Sequence, residues 1–485
     1  MRGGYLWIAS FLLYPIVGAP LLKHSAFRVF RFPTRVVLSG GVGMVLVSWT
    51  MTLFALLGLR WGPLVVLVSA AFAFALRLVP GREDNEANET PSPRAAAGER
   101  EGSPLAGKNA PAATEGRILA KRAAGGQGEG RFDRATTLVA YALLFLSLLA
   151  ALAATMAARS TSPDLLLFWG PKAQQFAAAR TIDVSFLKAP YLEYVHVYYP
   201  PLVTNVFALG AMIAGRFPWG AATLTFPLFL AATAIGIAGL LRTEVDVAPA
   251  AAGSSLATSA LALAGIHASV AGNAEPFLVF FEILAVALLL SPAAATIGGR
   301  LLAGLLLAGA ATAKVEGLPF VLAAAVLFVL ADRGRSRPVA RTLLLLLGPA
   351  AVALGSWFAF GKINALFRGY RGYGDVLAVR WDQLSEIATA IGGALWKSGY
   401  ALPWLAPLAV WLLAGAKKGR VFFPMGVAAA LLGFLVFTYL TTESDPRLLI
   451  GWSAARTLSP VSALLALAAF ASRTSEPGRS APSRG

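Results

Sequence analysis

Long apolar runs recur along the 485-residue chain and constrain its fold more than any other feature. Each run is roughly 17–24 residues long, enough to cross a hydrocarbon core of about 30 Å as an α-helix rising about 1.5 Å per residue. Alanine and leucine dominate the runs, and β-branched alternation is scarce. A membrane β-barrel would instead show short strands with alternating hydrophobicity. The sequence therefore predicts an all-α polytopic membrane protein with about thirteen transmembrane helices.

The composition supports a membrane protein and excludes several kinds of site. Charged residues make up 13% of the chain and hydrophobic residues 57%, whereas soluble domains carry about 25% charged residues. The net charge of +17 arises in the segments between apolar runs, which indicates a topology signal and contact with membrane lipids, not nucleic-acid binding. With no cysteine and three scattered histidines, the chain lacks the residues for disulfides, zinc–sulfur sites or a histidine metal cage.

The apolar runs and the segments between them divide the chain into four regions. Residues 1–80 are expected to form a three-helix membrane segment. Residues 81–134 are rich in Gly, Pro, Glu, Ala and Arg, which predicts a disordered cytoplasmic linker. Residues 135–472 contain the remaining spans, with an outer loop region at 159–219 that is expected to carry interfacial helices. Residues 473–485 are expected to be a disordered cytoplasmic tail.

The distribution of basic residues predicts the orientation in the membrane. With Lys23–Arg35 in the cytoplasm, every short basic loop falls on the cytoplasmic side, as the positive-inside rule requires. This agreement needs residues 201–215 to lie on the outer face without crossing, which their short apolar length favours. The chain is therefore predicted to be a multi-pass protein of the inner (cytoplasmic) membrane with its N-terminus outside and its C-terminus in the cytoplasm.

Ionisable residues gather at the predicted outer ends of the spans. They are Asp164, Glu275, Lys314, Glu316, Arg447 and Arg456. Such groups are costly at membrane depth unless they are paired or functional. Each one alone is expected to form a local salt bridge or to anchor its span at the interface. Together, acids and bases on one side of the membrane indicate a site for an anionic, phosphate-bearing lipid.

Two interpretations of Asp164 follow from its position. A carboxylate at the membrane boundary beside aromatic residues suits a general base, because partial desolvation raises its pKa. However, Ser162 and Asp164 both precede the helical pattern LLLFWGPKAQQFAAA, where such residues often cap a helix. Asp164 by itself is expected to be a cap, whereas the other ionisable residues on the same face favour the general base.

The aromatic residues of the outer region have a structural and a functional interpretation. His196 is expected to pack within an aromatic loop, with substrate binding as the alternative. Tyr198, Tyr199 and Trp219 are typical of the aromatic belt at a membrane interface, with contact to a sugar as the alternative.

Four motifs, in order along the chain, resemble those of the C-type superfamily of polytopic glycosyltransferases. This superfamily includes protein O-mannosyltransferases and the aminoarabinose transferase that modifies lipid A. The motifs are an outer-loop Asp with W-x-x-K-A and then YPPL (Asp164, Trp169, Lys172, Ala173, Tyr199, Pro200, Pro201, Leu202), the acid that opens a span (Glu275), the K-x-E-G turn (Lys314, Glu316, Gly317), and R-x-x-x-P (Arg456, Pro460). They extend from residue 164 to residue 460, most of the chain.

The resemblance implies that residues 135–472 form a catalytic module at the outer face. The implied reaction is an inverting transfer of a sugar from a polyprenyl-phosphate donor to an acceptor hydroxyl of a lipid, glycan or protein. Asp164 would be the general base, and Lys314 and Arg456 would hold the donor phosphate. Substrate-binding roles are also expected for Lys172, Tyr199, Glu275, Glu316 and Arg447. No metal or other cofactor is implied, because the activated bond arrives with the lipid.

A transporter or flippase of lipid-linked sugars is the alternative function. Such a protein should show paired halves with helices broken at matching mid-membrane positions. The sequence shows no such repeat, and its polar residues gather at one face, which favours the glycosyltransferase.

Overall fold

The structure of the protein, a computed structural model, is helical and contains no β-strand among the residues it describes. The described residues are 2–24, 27–79, 126–158, 162–189, 196–242, 247–266, 272–332, 338–367, 380–397, 418–441 and 445–471. This confirms an all-α fold for the described part of the chain.

The helices fall into three consecutive groups along the chain. The first group is α1 (Arg2–Ser10), α2 (Leu13–Val17), α3 (Phe32–Leu56) and α4 (Pro63–Arg77). The second is α5 (Gly126–Ala158), a π-helix (Leu165–Trp169), α6 (Gly170–Ala179), α7 (Val184–Leu187), α8 (Leu202–Ala214), α9 (Trp219–Ala222), α10 (Thr225–Leu241) and α11 (Val247–Ile266). The third is α12 (Glu275–Leu290), α13 (Ile297–Ala313), α14 (Gly317–Ala331), α15 (Val339–Ile363), α16 (Leu384–Lys397), α17 (Lys418–Thr441), α18 (Pro446–Thr457) and α19 (Ser459–Ala471).

Within the described residues, five stretches are long and apolar enough to cross a membrane. They are Phe32–Leu56, Thr137–Ala157, Trp219–Leu241, Val339–Ile363 and Val421–Thr441. Several shorter apolar helices accompany them. These features are those of a helical membrane protein, while the count of about thirteen spans and the orientation stay predictions.

The first predicted span is interrupted in the structure. Residues 5–22 form α1, α2 and a 3-10 helix at Ala19–Lys23 in place of one continuous helix. Pro15 explains the break between α1 and α2, because its ring clashes with the carbonyl of the residue four positions earlier and it has no N–H to donate.

The boundary between the predicted linker and the fourth span is also different. Helix α5 begins at Gly126, so the expectation of disorder up to residue 134 is wrong for its last residues. No proline lies between Gly126 and Ala158 to stop the helix from extending beyond its apolar part. Residues 81–125 and the tail 473–485 lie outside the described residues, as does most of an apolar run at 395–415 that the sequence predicts to be a span.

Helix α8 is the segment that was expected to lie along the outer face. It has 13 residues and is about 20 Å long, which is shorter than a hydrocarbon core of about 30 Å. Its side chains are largely buried against α1, α3 and α6. Asn205 donates to the backbone oxygen of Ser48 at 3.0 Å, so α8 is part of the packed interior and is not a helix exposed along one side.

Helix α12 is the central helix of the described bundle. Every residue from Glu275 to Leu289 is buried, and the helix packs against α10, α13, α14 and α19. A helix that is apolar on all sides is expected to be surrounded by other helices. Its first residue, Glu275, therefore lies where several helix ends meet.

Helices α13 and α15 pack closely at Gly304. A Cβ atom added there would overlap the backbone carbonyl oxygen of Leu345. Small residues allow this approach of two membrane helices, whose association depends on close packing.

We predict that Gly304→Ala destabilises the protein by about 1–3 kcal/mol, because the extra methyl group forces α13 and α15 apart. The measurement is thermal unfolding of the purified protein in detergent. Gly355→Ala is the matched control, since an added Cβ at Gly355 has no atom within 4 Å. Equal unfolding temperatures for the two variants would contradict the packing of α13 on α15.

Candidate active site

Five ionisable side chains from four separate segments of the chain form one ion-pair network. Arg456 Nη1 donates to Asp164 Oδ2 at 2.8 Å, and Arg456 Nε lies 3.4 Å from Glu275 Oε1. Lys314 Nζ lies 3.0 Å from Glu275 Oε1 and 2.9 Å from Glu316 Oε1. The structure thus brings together five of the predicted site residues, and we call them the ion network.

Helix ends hold two members of the ion network in favourable positions. Glu275 is the first residue of α12 and is followed by Pro276, a residue suited to the first turn of a helix. A negative charge there is stabilised by the positive end of the helix dipole, and a positive charge is stabilised at the opposite end. Arg456 lies in the last turn of α18, so both charges agree with the dipoles of their helices.

The K-x-E-G motif forms the tight turn between α13 and α14. Lys314 has an extended backbone that ends α13, and Glu316 immediately precedes α14. A Cβ atom at Gly317 would overlap the carbonyl oxygen of Ala310. Glycine therefore allows the turn to fold back onto α13, with Lys314 and Glu316 in contact at its end.

The carboxylate of Asp164 does not cap a helix in the structure. The backbone N–H of Leu165 donates to Ser162 Oγ at 3.4 Å, whereas Asp164 makes no capping hydrogen bond. The π-helix that follows Asp164 is of a type often found at functional sites. Ser162 thus takes the capping role, and the carboxylate of Asp164 is directed to Arg456.

Burial and neighbouring charges control the protonation of Asp164. Burial raises its pKa above the ordinary value, and Glu275 raises it further, although Arg456 and Lys314 act in the opposite direction. Its side chain is 19% exposed, compared with 5% for Glu275. Asp164 is therefore an accessible carboxylate of increased basicity in a network where three carboxylates face two cations.

Two carboxylate oxygens of the ion network have no hydrogen-bond partner among the described residues. They are Oε2 of Glu275 and Oε2 of Glu316, and both atoms are buried. Buried polar atoms in proteins are normally paired, and a carboxylate oxygen accepts hydrogen bonds from hydroxyl groups. The site therefore offers free acceptors for a ligand that carries hydroxyls.

An aromatic layer of Phe168, Trp169, His196 and Tyr199 lies next to the ion network. Tyr199 lies 6.0 Å from Phe168 and 5.6 Å from Trp169 between ring centroids. Burial raises the pKa of the Tyr199 hydroxyl, and the charge of Glu316 contributes to the increase. Tyr199 is thus a partly buried member of the aromatic layer that is close to Glu316 of the ion network, and it is not an exposed residue of an interfacial belt.

His196 packs within this layer, as expected. Its Nδ1 lies 3.0 Å from the hydroxyl of Tyr198, and its ring contacts Phe168 and Tyr199 edge-on. Burial, with the charges of Lys172 and Lys314, lowers the pKa of His196 to about 4. His196 is therefore neutral near pH 7.

Lys172 lies against the aromatic layer and not in the ion network. Its Nζ lies 4.7 Å from the ring centre of Trp169 and 5.6 Å from that of Phe168. These distances fit cation–π contacts. Burial lowers the pKa of Lys172 to about 7.

Arg447 lies apart from the ion network. It pairs with Glu386 of α16, and its side chain is 69% exposed. Arg447 is separated from Arg456 by about 13 Å along α18. The described structure thus gives no contact in support of a substrate-binding role for Arg447.

Glu282 is a buried carboxyl group that the sequence analysis did not single out. It is 1% exposed, and its Oε2 has no hydrogen-bond partner in the described part of the chain. It lies on the same face of α12 as Glu275, about two helical turns further along. An acid within an apolar run is a signal that could have identified it from the sequence.

A small crevice with a volume of about 20 Å³ adjoins Glu275. Its walls are mainly apolar side chains of α10 and α12, including Phe226, Phe229, Leu230 and Val279. The ion network therefore borders a small, mainly apolar crevice.

No protein-family model, curated protein or solved structure matches this chain. In the ranges that the structure describes, no three His, Cys, Asp or Glu side chains come together as metal ligands. The candidate function rests on the motifs and on the geometry of the ion network and aromatic layer.

We predict that Glu275→Gln destabilises the protein by about 3–5 kcal/mol, because it removes the buried carboxylate that Lys314 and Arg456 share. Thermal unfolding in detergent measures the loss. Glu386→Gln is the matched control, since its partner Arg447 is exposed and such surface pairs contribute about 0–1 kcal/mol. A loss for Glu275→Gln no larger than that for Glu386→Gln would show that Glu275 does not hold the network together.

Proposed function

We propose that this chain is an integral-membrane glycosyltransferase acting at the outer face of the cytoplasmic membrane. It would transfer a sugar from a polyprenyl-phosphate donor to an acceptor hydroxyl of a lipid, glycan or protein. The observation that carries the proposal is the accessible carboxylate of Asp164, held by Arg456 beside two carboxylates that each have a buried oxygen without a partner among the described residues. The four ordered motifs that meet in this network support the same function.

Asp164 is the proposed general base. Its carboxylate accepts the proton of the acceptor hydroxyl while that oxygen forms a bond to the anomeric carbon of the sugar. The bond from the anomeric carbon to the phosphate oxygen breaks, and the polyprenyl phosphate leaves with the bonding electrons, so the configuration inverts. A raised pKa makes Asp164 a better proton acceptor than an ordinary carboxylate.

Glu275 and Glu316 are the proposed contacts to the sugar. Their free oxygens accept hydrogen bonds from sugar hydroxyls. Such contacts select strongly for substrates with a hydroxyl at the correct position, because a missing hydroxyl leaves a buried acceptor unpaired.

Lys314 and Arg456 position the carboxylates in this proposal. Both already contact carboxylates, so holding the donor phosphate as well would compete with those contacts. Arg456 keeps Asp164 in place and, with Lys314, compensates the charge of Glu275.

Asp164→Asn is expected to lower turnover about 10²–10⁴-fold, because it removes the proton acceptor but keeps the shape of the side chain. The purified protein is given a panel of polyprenyl-phosphate sugars and a membrane extract as the source of acceptor, and released polyprenyl phosphate is measured. Asp183→Asn is the matched control, since Asp183 accepts a hydrogen bond from the N–H of Phe186 as a helix cap.

Equal release by wild type and Asp164→Asn would show that Asp164 is not the base. If neither releases polyprenyl phosphate, but the protein moves the lipid across liposomes, the chain is a flippase.

The pH dependence of turnover is expected to follow Asp164. Its pKa is raised above the ordinary value of 3.8, so activity is present above the raised pKa and is lost as the pH falls through it. Arg456→Gln removes a cation that lowers this pKa, which moves the acid limb of kcat/KM to higher pH. Arg447→Gln, a change on the same helix away from the network, should leave the limb in place. An acid limb that Arg456→Gln does not move would exclude Asp164 as its source.

A further inference from the structure

Lys172 is a buried lysine with no carboxylate partner in the part of the chain that the structure describes. Lys172 is 4% exposed. Among the described residues, its ammonium group has cation–π contacts with the rings of Trp169 and Phe168 and no ion pair. Lys314 is similarly buried, yet it contacts two carboxylates. Lys314 is therefore surrounded by carboxylates, whereas Lys172 is surrounded by aromatic rings.

The described surroundings of Lys172 provide no negative charge to neutralise its ammonium group. The π-helix and α8, which pack against α6, contain no ionisable residue. In the described part of the adjoining loop, the charge of Lys172 acts on His196, which is itself neutral near pH 7. A buried charge without a counter-ion is costly, and the lysine reduces this cost by losing its proton at a pKa of about 7.

The aromatic layer connects Lys172 to the ion network. The ring of Trp169 contacts both Lys172 and Tyr199. The charges of Lys172, Lys314 and Glu316 all act on His196, which places that ring near both sets of charges. Lys172 is thus close to the ion network but forms no ion pair with the carboxylates of that network.

The charge balance of the ion network disfavours a phosphate there. Three carboxylates face two cations, so the network has a net charge of about −1 when all its members are ionised. The phosphodiester of the donor adds a negative charge of about −1, and the polyprenyl phosphate that is released carries about −1.5 to −2 at pH 7. An anion would be attracted instead by a neighbouring cation that has no counter-ion.

We propose that Lys172 is the ligand for the phosphate of the lipid donor, and that phosphate binding protonates its amine. The inference rests on the proposed function, because the anion it names is the phosphate of the polyprenyl donor. One proton from solvent adds to the amine when the phosphate binds, and the ammonium donates hydrogen bonds to the phosphate oxygens. The proton returns to solvent when polyprenyl phosphate leaves.

The test is calorimetric titration of the full-length protein in detergent with a short-chain polyprenyl phosphate at pH 8. Two buffers of different ionisation enthalpy give the number of protons taken up. Wild type is expected to take up about one proton more than Lys172→Arg, because arginine is already charged. This comparison cancels any proton taken up by the phosphate itself, and Lys172→Arg should retain most of the affinity.

Lys172→Gln is expected to bind the lipid phosphate at least about tenfold more weakly, the effect of losing a charged hydrogen bond. Lys188→Gln is the matched control, since it removes the same charge from an exposed lysine of the same region. Affinity of Lys172→Gln equal to that of the control, or equal proton uptake by wild type and Lys172→Arg, would overturn the proposal. The proton count needs no folded Lys172→Gln, so it remains decisive if that variant is unstable.

Turnover measured on the same preparations separates the two proposals. If sugar transfer requires Asp164 but Lys172→Gln leaves KM for the donor unchanged, the phosphate site is wrong and the function stands. If lipid phosphate binding requires Lys172 but no sugar is transferred, the glycosyltransferase is wrong and the anion site stands. A wild-type protein that binds no polyprenyl phosphate would overturn both.

Discussion

The contact of the Glu275 carboxylate with Lys314 and Arg456 determines how the helix ends around the candidate site are arranged. Glu275 opens a helix that is buried on all sides, so its charge has no solvent to stabilise it. Removing either cation from a buried pair of this kind costs several kcal/mol. The requirement for pairing therefore fixes α12, the turn between α13 and α14, and the end of α18 against one another. Asp164 joins the arrangement through Arg456.

The sequence predicts the helices and the ionisable residues at their ends, but it does not predict which of these residues form ion pairs. Apolar runs of membrane length predict helices, and alternation of sides along the chain places Asp164, Glu275 and Arg456 at one face. The bond between Asp164 and Arg456 joins residues 292 positions apart, and no local pattern indicates such a pair. The same limit explains Arg447, which shares a helix and a charge with Arg456 but contacts Glu386. Pro15, by contrast, was a visible signal for the break in the first span.

Residue type alone does not determine the chemistry of the two lysines. Lys314 lies between carboxylates that raise its pKa even though burial lowers it. Lys172 lies over aromatic rings, and burial acts on its pKa without such compensation. The motifs W-x-x-K-A and K-x-E-G both contain a lysine, yet the packing around each lysine decides whether it carries a fixed charge or can gain one with a ligand. This difference depends on tertiary contacts that the motifs do not encode.

A transferase of the proposed kind needs a base near the acceptor and a cation near the leaving phosphate, and these demands conflict at short range. A free cation beside the base lowers the pKa of the base and weakens it as a proton acceptor, whereas a carboxylate beside the phosphate repels the donor. In this fold the cations nearest Asp164 are already shared with Glu275 and Glu316. Lys172, which has no carboxylate partner among the described residues, is held by the aromatic layer. In the proposed function, the aromatic layer would thereby allow Asp164 to remain basic while Lys172 supplies a positive charge for the phosphate.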